Sequence, residues 1–97
     1  MYPIIDLQQK TRDCNILVSV GEASDSSVSG KLIVIIAEGN GKGDHLIMDR
    51  ELSNLSRTLQ DIEFQETPKT GKIHVVKATL ILQDNISKTD DEVIKLC

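Results

Sequence analysis

From Leu32 to Ala37 the chain reads Leu-Ile-Val-Ile-Ile-Ala, with no polar atom in any side chain. Gly39-Asn40-Gly41-Lys42-Gly43 follows almost at once. A short β-branched apolar run closed by glycines is the pattern of a buried strand ending in a tight turn. Successive strand side chains point to opposite faces, so an unbroken apolar run leaves neither face suited to water. Such a strand needs cover on both faces, or neighbours on both edges. The fold has to be assembled around it.

The residues after the run supply one neighbour. Asn40-Gly41 accepts positive φ at both turn centres, as a type I′ hairpin requires. Residues 32–38 are therefore expected to pair with 44–48 as an antiparallel hairpin. Earlier in the chain, Ile4, Ile5 and Leu7 mark a first strand near 3–8. Ile16, Val18 and Val20 alternate with Asn15, Leu17 and Ser19 as a strand with one apolar face. Between them, Thr11-Arg12-Asp13 is turn chemistry. Residues 21–30 hold Ser24, Ser26, Ser27 and Ser29 with Glu22 and Asp25. Such a polar stretch is expected to be a flexible Ser-rich loop, because burial cannot offset its ordering entropy.

Helical spacing comes next. Asp49 suits an N-cap and Glu51 a first turn. Leu52, Leu55, Leu59 and Ile62 recur at three and four residues, which predicts an amphipathic helix over about 50–60 packed on the sheet. Ile62-Glu63-Phe64-Gln65-Glu66 alternates as a strand, and Pro68 and Gly71 mark a turn. Near the end, Thr89 and Glu92 match a capping box, predicting a short C-terminal helix from about Asp90.

Residues 72–83 read as one long extended segment. Val76, Ala78, Leu80 and Leu82 share one face; Ile73, Val75, Thr79 and Ile81 share the other, interrupted by Lys77. Twelve residues at ~3.3 Å run ~40 Å, against a radius of gyration of ~12–13 Å for a compact domain of this size. The segment is expected to bend, to carry a bulge, or to project and offer unpaired backbone to another chain.

Composition narrows the function classes. The 97 residues suit one domain. A formal charge of −4 argues against general binding to nucleic-acid backbone. One Tyr, one Phe and no Trp argue against a base-stacking platform. No run is long and apolar enough to span a bilayer, and no leader-like segment opens the chain, so a soluble cytoplasmic protein without membrane contact is expected. The two cysteines, Cys14 and Cys97, form no CxxC pair. Reduced thiols are expected at both, with an intermolecular disulfide through Cys97 as the alternative.

No arrangement meets the demands of catalysis or cofactor binding. Gly39–Gly43 has neither the Gly-Lys-Ser/Thr of a phosphate loop nor G-x-G-x-x-G between strand and helix. His45 and His74 lie on strands that adjacency would bring together, yet Cys14, Asp44 and Asp49 stand at no ligand spacing. Cys14 has no nucleophile elbow, and the serines of 21–30 are poorly placed to hold a nucleophile. Asp90-Asp91 is explained by a helix start.

The expected fold is α+β: an antiparallel sheet of five or six strands, one amphipathic helix and a short C-terminal helix, with a β-sandwich carrying an inserted helix as the alternative. The expected function is non-enzymatic, without metal or cofactor: a protein-interaction or assembly module, homo-oligomeric, contacting a protein partner or itself through Ile73, Val75, Lys77, Thr79 and Ile81. The alternative is an acidic inhibitor or immunity-type protein presenting Glu22, Asp25 and Glu38 to the basic site of a toxin or nuclease.

Overall fold

The structure is a computed structural model and describes residues 1–24, 26–38, 44–66 and 72–95. The described residues form strands only: β1 (Pro3–Gln9), β2 (Ile16–Glu22), β3 (Val28–Glu38), β4 (His45–Leu55), β5 (Gln60–Phe64), β6 (His74–Leu82) and β7 (Ser87–Ile94). They make two sheets, a smaller one ordered β1-β2-β5 and a larger one ordered β4-β3-β6-β7. All neighbouring strands are antiparallel. The chain changes sheet after β2, after β4 and after β5, the connectivity of an immunoglobulin-type sandwich whose fourth strand lies beside β3.

The apolar run lies in β3, between β4 and β6, with neighbours on both edges. Leu32, Val34 and Ile36 point inward and are buried with Val76, Ala78, Leu80 and Leu82 of β6. Ile5, Leu7, Ile16, Val18, Val20 and Ile62 face them from the smaller sheet. The core is thus the space between two alternating aliphatic faces. The expected β3–β4 pairing forms, with Ile35 opposite Leu46 and Ile36 opposite His45. Its Asn40-Gly41 turn lies outside the described residues, as does the turn at 67–71.

The α+β expectation is overturned. Residues 50–60 form the end of β4, a bend at 56–58 and the start of β5. The apparent helical spacing has a local cause. Leu52 stands opposite Gly30 and Leu55 opposite Val28, so β4 uses three residues where β3 uses two. Asn54, at φ 58°, takes the left-handed turn within this irregularity. A β-bulge thereby converts a two-residue repeat into a three-residue one.

No helix follows Asp90 either. Residues 87–94 are β7, laddered to β6 from Ser87 opposite Ile81 to Ile94 opposite His74. The open backbone of β6 outweighs a weak capping signal, and β-branched Val93 and Ile94 favour the strand. The loop expected at 21–30 is shorter. Gly21 and Glu22 end β2, and β3 begins at Val28.

The extended segment does not project. β6 is flanked by β3 and β7 along its length, so it offers no free backbone edge. The estimate that suggested projection treats the domain as round, whereas the body measures 44 × 28 × 16 Å. Nine residues of strand, ~30 Å, fit within the long axis.

Candidate interaction face

Strand alternation fixes what the larger sheet shows on its outward side. With Leu32, Val34 and Ile36 inside, Lys31, Ile33 and Ile35 point out. Pairing places Thr79 beside Ile33, Lys77 beside Ile35 and Ile81 beside Lys31. On the β4 side come Leu46 opposite Ile35, Asp49 opposite Ile33 and Glu51 opposite Lys31. On the β7 side, Val93 stands opposite Val75, Asp91 opposite Lys77, and Thr89 opposite Thr79 with their hydroxyls 2.8 Å apart. An apolar diagonal runs Leu46–Ile35–Ile33–Ile81, and Val75 and Val93 extend the apolar surface near the start of β6. Leu46 is 64% exposed and Val93 49%. Ile33, Ile35, Val75 and Ile81 are half-buried by their neighbours in the sheet. No described element packs over this face.

Charges on the face balance within it. Lys31 Nζ lies 3.2 Å from Asp49 Oδ1, and Lys77 stands directly opposite Asp91. At one end the surface dips into a groove of about 580 Å³ lined by Ser29, Lys31, Glu51, Ser53, Ile81 and Gln83, among others. Gln83 Oε1 there accepts from the Ser29 amide and hydroxyl, at 3.0 and 2.9 Å.

Val75, Lys77, Thr79 and Ile81 therefore share this outward face, as their alternation implies. Ile73 precedes β6 and is 66% exposed. Glu22 lies elsewhere and is fully buried. Its carboxylate accepts bonds from the Ser24 hydroxyl and the Ser24 amide. Those bonds, the hydroxyl's foremost, hold its pKa below the ordinary 4.5. It is not a surface charge for a basic partner. Asp25 lies outside the described residues. Ile33 and Ile35, in a run that reads as one buried strand, face outward, and Val93, expected in a helix, lies in β7. Nothing within the run separates Ile33 and Ile35 from Leu32, Val34 and Ile36; the placing of β3 in a two-layer sandwich does, because alternate members of its strand then face outward.

His45 and His74 are not on neighbouring strands, because β3 separates β4 from β6. His45 is exposed and His74 buried. Among the described residues, no three of His, Cys, Asp and Glu converge on one point. The expectation of a reduced thiol at Cys14 is overturned, since Cys14 is disulfide-bonded. The sequence holds one other cysteine, Cys97, which lies outside the described residues. Among the described residues no helix is long and apolar enough to cross a membrane.

A polar cluster joins the β1–β2 turn to β5. Lys10 Nζ lies 2.9 Å from Glu63 Oε1 and 3.4 Å from Asp13 Oδ2, and Asn15 Nδ2 donates to Glu63 Oε2 at 2.9 Å. Glu63 titrates below its ordinary value, chiefly through the Asn15 amide and then Lys10. Asp13 is lowered chiefly by the Asn15 backbone N–H, and Lys10 is raised by Glu63 and then Asp13. All these groups are open to solvent, so the cluster orders a turn.

The fold and the outward face of the described residues define an all-β, two-sheet domain with an aliphatic surface that no described element covers. No protein-family profile matches the chain, and no curated protein matches it. Among solved structures it is similar to the crystal structure of hypothetical protein PH1083 from Pyrococcus horikoshii OT3. The TM-score is 0.53 at 14% identity, covering 98% of this chain and 87% of that one. The likeness is one of fold.

Proposed function

We propose that the protein is a non-enzymatic interaction and assembly module that works by protein–protein contact and associates with itself. One observation carries this reading: Ile33, Ile35, Val75 and Ile81, with Leu46 and Val93 in the open, lie around Lys77 and Thr79 on one outward face that no described element covers. Contiguous exposed apolar surface on a small domain marks a site of contact. The acidic-inhibitor alternative loses support, because Glu22 is buried in its own hydrogen bonds. Neither nucleic acid nor membrane is part of the proposed role. Sedimentation at micromolar concentration tests it: a species heavier than the 10.7 kDa chain is expected, and a monomer throughout defeats it.

The compartment follows from different chemistry. The cytoplasm is the sequence expectation, but a disulfide at Cys14 favours an oxidising setting, because cytosolic thiols are kept reduced. Alkylation of protein isolated without reductant is expected to leave Cys14 unmodified. Labelling of Cys14 in the native protein returns the assignment to the cytoplasm.

A further inference from the structure

The self-association proposed above leaves open which surface serves it. With its β7 edge tied to β1, the larger sheet offers two candidates, the edge of β4 and the outward face. We propose that two copies of this chain pack outward face against outward face, with Ile33, Ile35, Val75 and Ile81 at the centre of the contact. The inference rests on the self-association reading and specifies its surface.

Charge argues against the edge. Pairing β4 with itself about a two-fold axis normal to the sheet keeps each face on its own side, so directly opposed residues share a face. A register centred on Asp49 opposes it to its own copy, and one centred on Glu51 does the same there. A register centred on Arg50 opposes two Arg50 side chains and sets Asp49 against Glu51. Like charges directly opposite are destabilising. Moving the centre outward runs into the irregularities where Val34 and Ile35 meet Met48 and Leu46, and where Gly30 and Val28 meet Leu52 and Leu55. Arg50 itself pairs with Leu32, an inward position, yet stays exposed. An inward-pointing charge on an edge strand obstructs pairing.

The face carries the opposite signature. Its lysines, Lys31 and Lys77, are matched on the face by Asp49 and Asp91, leaving Glu51 as the excess charge. A nearly neutral surface gives a strongly charged partner nothing to recognise, but it lets an identical copy approach without repulsion. Its size also suits a dimer. Four strands ~4.8 Å apart and ~30 Å long present roughly 600 Å² in projection. With full overlap two such faces bury roughly 1,200 Å², the lower end of the range for specific interfaces. Stacked sheets with aliphatic facing residues are also a packing this chain already uses in its own core.

The test compares wild type with Ile35→Glu and Ile81→Glu by sedimentation equilibrium over micromolar concentrations, with thermal unfolding as the control for folding. Each new carboxylate falls opposite a lysine, Lys77 or Lys31, so the monomer fold is expected to persist. Expected are a wild-type dimer and a dissociation constant at least 100-fold weaker in both variants. Methyl resonances of Ile33, Ile35, Val75 and Ile81 should shift on dilution of the wild type, a reading that needs no variant to fold. A wild-type dimer that neither variant weakens, or whose dilution shifts lie on β4 edge residues, overturns the face assignment and leaves self-association standing. A wild-type monomer overturns both.

Discussion

The two long sides of the sandwich are closed by different means. Where β1 lies over β7, side chains stand in for a ladder. The Leu7 amide donates to Asp90 Oδ2 at 2.9 Å, and Gln9 binds the Lys95 backbone in both directions, at 2.9 and 2.8 Å. On the opposite side the smaller sheet ends at β5 and the larger at β4. There the chain crossing from β4 to β5 holds the layers. The Glu22 amide donates to Ser56 O at 2.9 Å, and Gly21 lies so close to this crossing that a Cβ would meet Ser56 O and Leu59 Cδ2 at 2.6 Å each. One side is sewn by replaceable polar side chains. The other depends on backbone proximity that glycine alone allows, and it leaves the β4 edge unpaired. Damage to the second side should therefore cost more, whereas a change at its free edge should alter association more than stability.

Gly21→Ala is the strongest way to break this contrast. The added methyl collides with a backbone carbonyl as well as a side chain, so the crossing must move, and overpacking of this kind costs about 3 kcal/mol. Urea unfolding is expected to show that loss with an unchanged slope. Full stability in the alanine variant means the crossing is loose and the two sides are not so different.

Asp90→Ala on the sewn side should cost less. It strands the Leu7 amide, and an orphaned donor in a partly buried position costs about 1–2 kcal/mol. Gln9→Ala removes the two exposed bonds to Lys95 and a longer one, 3.3 Å, to Cys14 O, and should cost about 1 kcal/mol. The two sites share one seam, so the double variant should fall short of the sum. Hydrogen exchange at the Leu7 and Lys95 amides should quicken before the interior of β2 responds.

The pH dependence sharpens the comparison further. Glu22, near the Gly21 crossing, and Glu63 and Asp13, beside the β1–β2 turn, all titrate below their ordinary values. A depressed carboxyl contributes stability above its unfolded pKa and loses it as pH falls through the folded one. For Glu22 and Glu63 the loss sets in below the ordinary value of 4.5 and for Asp13 below 3.8. Lys10 has the reverse sign: raised above 10.5, it contributes fully below that value and loses its contribution as pH climbs through the folded one. Glu22 is shielded and Glu63 exposed, so solvent screens the second more. Glu22→Gln is thus expected to flatten the acid limb of denaturation more than Glu63→Gln. Equal flattening places both carboxylates in the same electrostatic setting.

Much of the layer structure can be read from residues. The alternations of Ile16, Val18 and Val20 and of Val76, Ala78, Leu80 and Leu82 give β2, β6 and their inward faces, and with β6 the outward set Val75, Lys77, Thr79 and Ile81. What misleads is local geometry without a periodic signature. The extra residue in β4 between Leu52 and Leu55 imitates a helical repeat. The capping pattern at Thr89 and Glu92 is a local preference that the open edge of β6 overrides. Glu22 looks like a surface acid because it opens a Ser-rich stretch, yet Ser24 of that stretch supplies donors that let it be buried. The outward role of Ile33 and Ile35 is hidden for the opposite reason: a fully apolar run carries no alternation to separate its two faces.

The smallest effect on stability falls at Arg50, where it bears most directly on the open side. Its side chain is exposed and makes no hydrogen bond among the described residues, so Arg50→Thr is expected to change the unfolding free energy by less than about 0.5 kcal/mol. Association should respond differently. With Arg50 gone, a β4 pair centred on residue 50 loses its central repulsion and the inward-pointing charge, although Asp49 still opposes Glu51. If that charge guards the edge, the variant should form larger species by sedimentation at concentrations where wild type does not, through edge pairing added to face packing. Adding Asp49→Lys should strengthen the effect, because the remaining opposed pair becomes attractive. Unchanged sedimentation in both variants means the β4 edge is protected by its bulges rather than by its charges, and the two sides then differ in shape more than in electrostatics.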